Sequence, residues 1–173
     1  MHPTNAHAIK TYDYLSVART KFFDKARTLT PRDHAKKFDI GPGSLQRTLA
    51  HVVGAEWYYV QRLTGAELKT LEGWPISEEE PPGLPVIEAT WLEQAVKTRA
   101  ALEAVQDWQA EIRYEVHWEE EPRRVTATAS DVFTQLVLHE VHHRAQLLNM
   151  LRRLGAPADD VDYNEMCYVI EPL

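Results

Sequence analysis

The sequence predicts an all-α protein built from four long helices, with a small β-hairpin before the last. Three observations carry that expectation. Apolar residues return at three- and four-residue spacings in four separate stretches, turn and cap residues bracket those stretches, and one short stretch alternates with period two instead. At 173 residues the chain is long enough for one ordinary domain with a substantial core and too short for two comfortable ones, so a single domain over 1–173 is expected.

The first helix is expected from about Asn5 to Leu29, where Ile9, Tyr12, Leu15, Phe22, Phe23 and Ala26 repeat at helical intervals until Pro31 ends or interrupts the pattern. His34 follows in a charged segment and reads as a solvated surface histidine. Gly41-Pro42-Gly43 marks a turn, Ser44 a cap and Gly65 a stop, which bracket a second helix from Ser44 to Thr64. Its apolar arc is Leu45, Leu49, Val52, Val60 and Leu63. Glu56 falls on that arc as a buried carboxylate in need of a partner. His51 lies well off it, on a strip with Ser44, Gly54, Ala55 and Tyr58 where small side chains leave room for a neighbour. Periodicity alone leaves His51 open between an exposed polar face and an inward one.

A long connection follows, from Ala66 to Val86, with a short helical turn expected near Glu67 to Leu71 and the acidic, proline-rich tract Glu78-Glu79-Glu80-Pro81-Pro82-Gly83. The third helix should begin near Pro85 or Ile87 and end near Val105 or Trp108, its apolar surface drawn from Ala89, Leu92, Ala95, Val96, Ala100 and Leu102. The stretch Glu111 to Trp118 alternates, Glu119-Glu120-Glu121-Pro122 turns, and Arg124 to Thr128 is β-branched, which makes a hairpin. His117 sits on its Arg113-Glu115 face, opposite Ile112 and Tyr114, and is expected to be exposed. Ser130 should cap the last long helix, with Gly155 and Pro157 closing it. The tail to Leu173 reads as an extended segment wrapping the helices.

That last helix carries the chemistry. At about 100° per residue, His139 and His143 lie about 40° apart, one turn above the other. Their face continues as Val132, Leu136, Leu147, Met150 and Leu154, a core-facing stripe. Imidazoles among aliphatic side chains cost free energy unless their nitrogens find partners. A metal ion would satisfy both at once, since an i,i+4 pair can ligate one ion; backbone carbonyls or waters are the bland alternative. His142 reads as a helix-flank histidine near the rim, and Arg144 as a structural salt-bridge former.

Composition narrows the function. Nineteen Lys and Arg against 26 Asp and Glu give a net charge of -7 with no basic run, which disfavours nucleic acid. Cys167 is the one cysteine, so no internal disulfide is available and a reducing cytoplasm is expected. Neither an export-signal pattern nor a membrane-spanning apolar run is visible, so no membrane partner is expected.

The residues Leu49-Ala50-His51-Val52-Val53-Gly54-Ala55-Glu56 and His139-Glu140-Val141-His142-His143-Arg144-Ala145-Gln146 resemble the DinB family, also called the DinB/YfiT-like metalloenzymes. The second run matches the family's HxxxHRxQ signature, and the order and spacing agree over nearly the whole chain. The resemblance implies an antiparallel four-helix bundle in which His51, His139 and His143 hold one divalent metal, zinc or nickel foremost and iron or manganese as further candidates. It also implies a homodimer, a small-molecule substrate, and a transferase using a low-molecular-weight thiol or a hydrolase. Three neutral imidazoles leave an ion's charge uncompensated and a position open, which suits catalysis. Glu56, Glu140 and Gln146 are the sequence neighbours expected to orient those ligands. Two other readings compete: a non-enzymatic metal-stabilised binding or dimerisation module, and a zinc protease, because His139-Glu140-Val141-His142-His143 satisfies HExxH with Glu140 as base.

Overall fold

The computed structural model describes residues 3–66, 73–117, 121–159 and 161–171. In chain order the elements are α1 (Pro3–Ala26), α2 (Pro31–His34), α3 (Leu45–Leu63), α4 (Leu84–Ala104), β1 (Glu111–Val116), β2 (Arg123–Thr128), α5 (Ala129–Arg153) and α6 (Tyr163–Cys167). The protein is therefore mostly helical with one two-stranded antiparallel sheet. Among the described residues no helix is long and apolar enough to cross a membrane. The turn expected at Glu67 to Leu71 lies outside the described residues, as do Trp118, Glu119, Glu120 and Asp160.

Local chemistry sets the boundaries. Ser44 caps α3 by accepting from the Arg47 amide at 3.1 Å, and Gly65 ends it at φ +74, where a side chain would be strained. Pro31 interrupts α1 by opening a new turn: Thr30 and Asp33 form a capping box, and α2 follows. This turn buries His34, whose Nε2–H donates to the Ala26 carbonyl at 2.8 Å. His34 is thus not the solvated histidine its charged neighbours suggested. The cap of α5 is likewise Thr128 and not Ser130, because β2 runs directly into the helix and Thr128 closes a capping box with Asp131.

In the hairpin Glu111 pairs with Thr128 and Val116 with Arg123. Ile112, Tyr114 and Val116 turn inward while Glu111, Arg113 and Glu115 face solvent, as alternation requires. The tail returns along α1, where Tyr14 donates to the Val161 carbonyl at 2.7 Å and its ring meets Tyr163 edge-on at 5.0 Å.

α3 packs on both α4 and α5, and α1 packs on the same two. On α4 the apolar face differs from the one expected. Leu92 and Val96 are 66% and 71% exposed, and the buried side is Leu84, Ile87, Trp91, Gln94, Thr98, Ala101 and Leu102. Two polar residues occupy this inner face: Thr98 donates to a buried carboxylate, and Gln94 donates to Thr98.

That carboxylate is Glu56. It accepts from Tyr12 Oη at 2.5 Å, Thr98 Oγ1 at 2.5 Å and Trp91 Nε1 at 2.7 Å, and it pairs with Arg19 Nη2 at 2.7 Å. Arg19 also grips Glu140 with Nε at 3.0 Å and with Nη2, donates to Tyr12 at 3.1 Å, and lies over the Trp91 ring at 4.6 Å. Burial disfavours the guanidinium charge, but Glu140 and Glu56 more than offset it and hold the pKa well above its ordinary value. Burial, with Glu56 beside it, raises the Tyr12 hydroxyl, which stays a neutral donor.

This polar layer separates two apolar clusters. One contains Phe22, Phe23, Leu49, Val53, Trp91, Leu147 and Leu151; the other contains Tyr12, Leu15, Val60, Leu102, Trp108 and Leu136. On each long helix a layer residue falls between its two apolar segments: Arg19, Glu56, Thr98 and Glu140. Replacing Arg19 with Met would leave two buried carboxylates facing each other without a cation. The expected loss in urea denaturation is about 3–5 kcal/mol, the usual cost of stripping a buried charge of its partner. A loss below about 1 kcal/mol would show that the layer does not hold the helices together.

Candidate metal centre

The stripe on α5 buries Val132, Leu136, His143, Leu147 and Met150, so the imidazoles project from it into the interface with α3. There His51 meets them. The ring centroids of His51 lie 4.9 Å from His139 and 4.6 Å from His143, and His139 and His143 are 4.5 Å apart. One ring nitrogen of each falls within 4.8 Å of the others, and His51 Nε2 approaches His139 Nε2 to 3.0 Å. Among the described residues this trio forms a group that can hold a metal ion. The ambiguity over His51 is thereby resolved inward.

Two of the three imidazoles are fixed from behind. Glu78 Oε2 stands 2.8 Å from His51 Nδ1, and a carboxylate can only accept, so Nδ1 carries a proton and, in the neutral ring, Nε2 is the nitrogen with the lone pair. Gln146 Oε1 does the same for His143 Nδ1 at 2.8 Å, while the Gln146 amide nitrogen donates to His142 Nε2 at 2.9 Å. His142 is exposed on the flank, as expected. With the His51 lone pair aimed at His139 Nε2, their 3.0 Å approach needs either a proton or a cation between them.

Of Glu56, Glu140 and Gln146, only Gln146 has a described contact with a histidine of the trio. Both carboxylates turn to Arg19 in the polar layer, which is the stronger partner for a buried anion. Arg144 also departs from expectation: its Nη2 donates to Tyr14 Oη at 2.5 Å and it lies over the Tyr14 ring, a phenol in place of a carboxylate. His117 stays on the hairpin surface beside Glu115 at 3.2 Å.

Glu78 is the residue that sequence reasoning missed. It sits 27 positions from His51 in a connection without periodicity, and the acidic tract gave no reason to prefer one carboxylate over its neighbours. Packing decides the choice. A Cβ on Gly54 would come within 2.5 Å of the Trp74 ring, so the bare glycine lets the connection lie flat on α3. Ile76 enters the core, the Arg47 side chain donates to the Glu78 carbonyl at 3.1 Å, and Gln46 donates to the Pro81 carbonyl at 2.8 Å. On the other side Gly41, at φ +52, backs onto Gln146, where a Cβ would collide with Oε1 at 2.0 Å.

The DinB family model matches residues 1–171, which takes in both histidine-bearing helices and the connections that support them. The chain belongs to the DinB family. No curated protein matches it by sequence. The HxxxHRxQ run of the DinB chain can now be read physically: His139 and His143 face α3, Gln146 fixes His143, and Arg144 ties α5 to Tyr14 on α1.

The site disfavours protons. Burial first, then the neighbouring imidazoles, push His139 down to about 3, and burial lowers His143 as well. In the unfolded chain these side chains titrate near 6.5. Below that value the unfolded state binds more protons than the folded one, so stability is fully present above about 6.5 and falls as pH drops toward the folded pKa. Metal-free protein should lose stability between about pH 6.5 and 5, before most carboxylates titrate. The His139→Ala variant should show a shallower slope over that interval, and equal slopes would refute the assignment.

Proposed function

We propose that His51, His139 and His143 bind one divalent transition-metal ion, zinc or nickel foremost, and that this DinB protein is a metal-dependent enzyme acting on a small molecule. The reading places the site between α3 and α5 of a single-domain antiparallel four-helix bundle. Its main support is the convergence of three imidazole nitrogens of which two have their far nitrogen already engaged. A tetrahedral ion bonded at 2.0–2.1 Å keeps neighbouring ligand atoms about 3.3–3.4 Å apart, and the His51–His139 separation of 3.0 Å needs only a slight opening. When bound, such an ion supplies Lewis-acid activation of water, of a thiol or of a carbonyl.

The chain's own residues set the conditions for that chemistry. Depressed pKa values keep the His139 and His143 lone pairs free at neutral pH. Glu78 and Gln146 hold the protons on the outer nitrogens of His51 and His143 and so fix both ring orientations. The three donors are uncharged and His51 keeps 28% of its side-chain surface open, which favours a reactive site over a closed structural one. Thiol transfer with a low-molecular-weight thiol, or hydrolysis, follows from that donor set. The protease reading fails on Glu140: a carboxylate clasped by Arg19 and 3% exposed is not free to serve as a base.

Protein purified without a nickel column should carry about one divalent ion per chain by elemental analysis. His143→Ala should lose it, while Glu78→Gln and Gln146→Leu should keep the site but weaken metal affinity by about 10–100-fold. Turnover in a screen of small thiols with electrophiles should vanish on chelation and return with metal. Stoichiometric metal without any chelator-sensitive turnover would favour the binding or dimerisation module. Absence of metal would remove the proposal.

A further inference from the structure

A second unusual cation lies at the far end of α3. Arg62 is 1% exposed, and among the described residues its Nε, Nη1 and Nη2 have no hydrogen-bond partner. Its guanidinium carbon lies 4.5 Å from the Tyr58 centroid and 4.1 Å from that of Tyr114, in the corner between two rings that stand nearly perpendicular, at 81°. A guanidinium does not shed its proton in proteins, so it cannot escape burial by becoming neutral. Cation–π contact offsets part of the desolvation but is a weaker substitute than an oxygen acceptor for the five N–H groups of a guanidinium. Burial first, then Tyr58, pushes the Tyr114 phenol up to about 12, so it contributes no counter-charge at neutral pH.

Arg62 lines a cavity of about 790 Å³ between the end of α3 and the hairpin. The other charges described on its wall are mutually engaged: Arg113 with Glu111 at 2.5 Å, and Arg124 with Glu115 at 3.1 Å. Those pairs are exposed at the rim and roughly cancel, which leaves Arg62 as the one described cation of the wall without an ionic partner. None of the three histidines lines this cavity.

We infer that the cavity between the α3 terminus and the β1–β2 hairpin is an oxyanion site, in which Arg62, clamped by Tyr58 and Tyr114, receives the carboxylate or phosphate group of a small ligand. The planar fork of a guanidinium matches both groups with two parallel hydrogen bonds, and contact with two rings nearly at right angles restricts its movement before the ligand arrives. The cavity volume is that of a small-molecule site. The rim acids Glu111 and Glu115 select against highly charged anions and favour a ligand with one anionic group. This site stands apart from the metal reading and holds whether or not the histidines bind an ion.

Calorimetric titration at constant ionic strength tests it, with inorganic phosphate and benzoate as separate probes and the full chain in the cell. At least one probe should bind saturably at one site, and the stronger of the two identifies the oxyanion class. Arg62→Met should abolish that binding while leaving thermal stability equal or higher, since an unpaired buried charge is removed. Arg62→Lys keeps the charge without the fork and should weaken binding about tenfold or more, about 1.4 kcal/mol; it decides the question if Arg62→Met does not fold. Heats absent for both probes, or affinity unchanged in Arg62→Lys, would overturn the inference. So would a marked loss of stability in folded Arg62→Met, because the tyrosine clamp would then be the whole role of Arg62.

Discussion

One guanidinium holds the interior in register. Arg19 comes from α1, its two carboxylates from α3 and α5, and the aromatic and hydroxyl groups around them from α1 and α4, so all four long helices meet at one level. An aliphatic layer of the same volume would bury as well or better, since a buried ion pair gains little over hydrophobic packing. What it would not do is distinguish one axial position from the next. A Leu can slide by a turn and still be buried, whereas a guanidinium fork between two carboxylates satisfies every partner in one arrangement only. The consequence reaches the histidines directly, because His139 precedes Glu140 on α5 and the hold on Glu140 fixes the rotation of that helix.

The same layer keeps the Glu56 and Glu140 carboxylates away from the three histidines. Glu140 lies between the two α5 histidines in sequence and Glu56 lies about one and a half turns from His51, and either could compensate an ion if it swung toward it. Arg19 prevents that by claiming both. Glu78 does touch the trio, but through the outer nitrogen of His51, where it sets a tautomer and does not neutralise the centre. Burial holds His139 and His143 toward the neutral form, and the outer nitrogens of His51 and His143 carry their protons, which keeps inner lone pairs available to a cation. Structure and pKa therefore point the same way.

The parts of this arrangement that were legible in the sequence are those written by period and cap. The α5 stripe, the inward pair His139 and His143, the Ser44 cap, the α1 core residues and the alternating hairpin all follow from local rules, and Glu56 announced itself as an acid on an apolar arc. The illegible parts depend on what another segment supplies. α4 looked amphipathic on the wrong side because Gln94 and Thr98 are buried to serve a carboxylate on α3. His34 looked solvated because its acceptor is the end of the preceding helix. His51 sits off its helix's main arc since its burial comes from a loop and from α5, and Glu78 can be chosen only when Trp74 has been seated on Gly54.

Arg19 and Arg62 form a natural comparison within a single chain. Both guanidiniums are more than nine-tenths buried and both lie against aromatic rings. Arg19 has two carboxylates and a phenol accepting from its donors, which is what burying such a charge ordinarily demands; Arg62 has two rings set nearly perpendicular to each other and, among the described residues, no hydrogen-bond acceptor. A ring face is a weaker acceptor than a carboxylate or phenol oxygen, so contact with two rings does not replace the missing acceptors. If stacking sufficed, the layer around Arg19 would not have drawn two acids out of water to surround it. A charge kept buried at the wall of a cavity with its donors unpaired is an arrangement whose cost an entering oxyanion would offset.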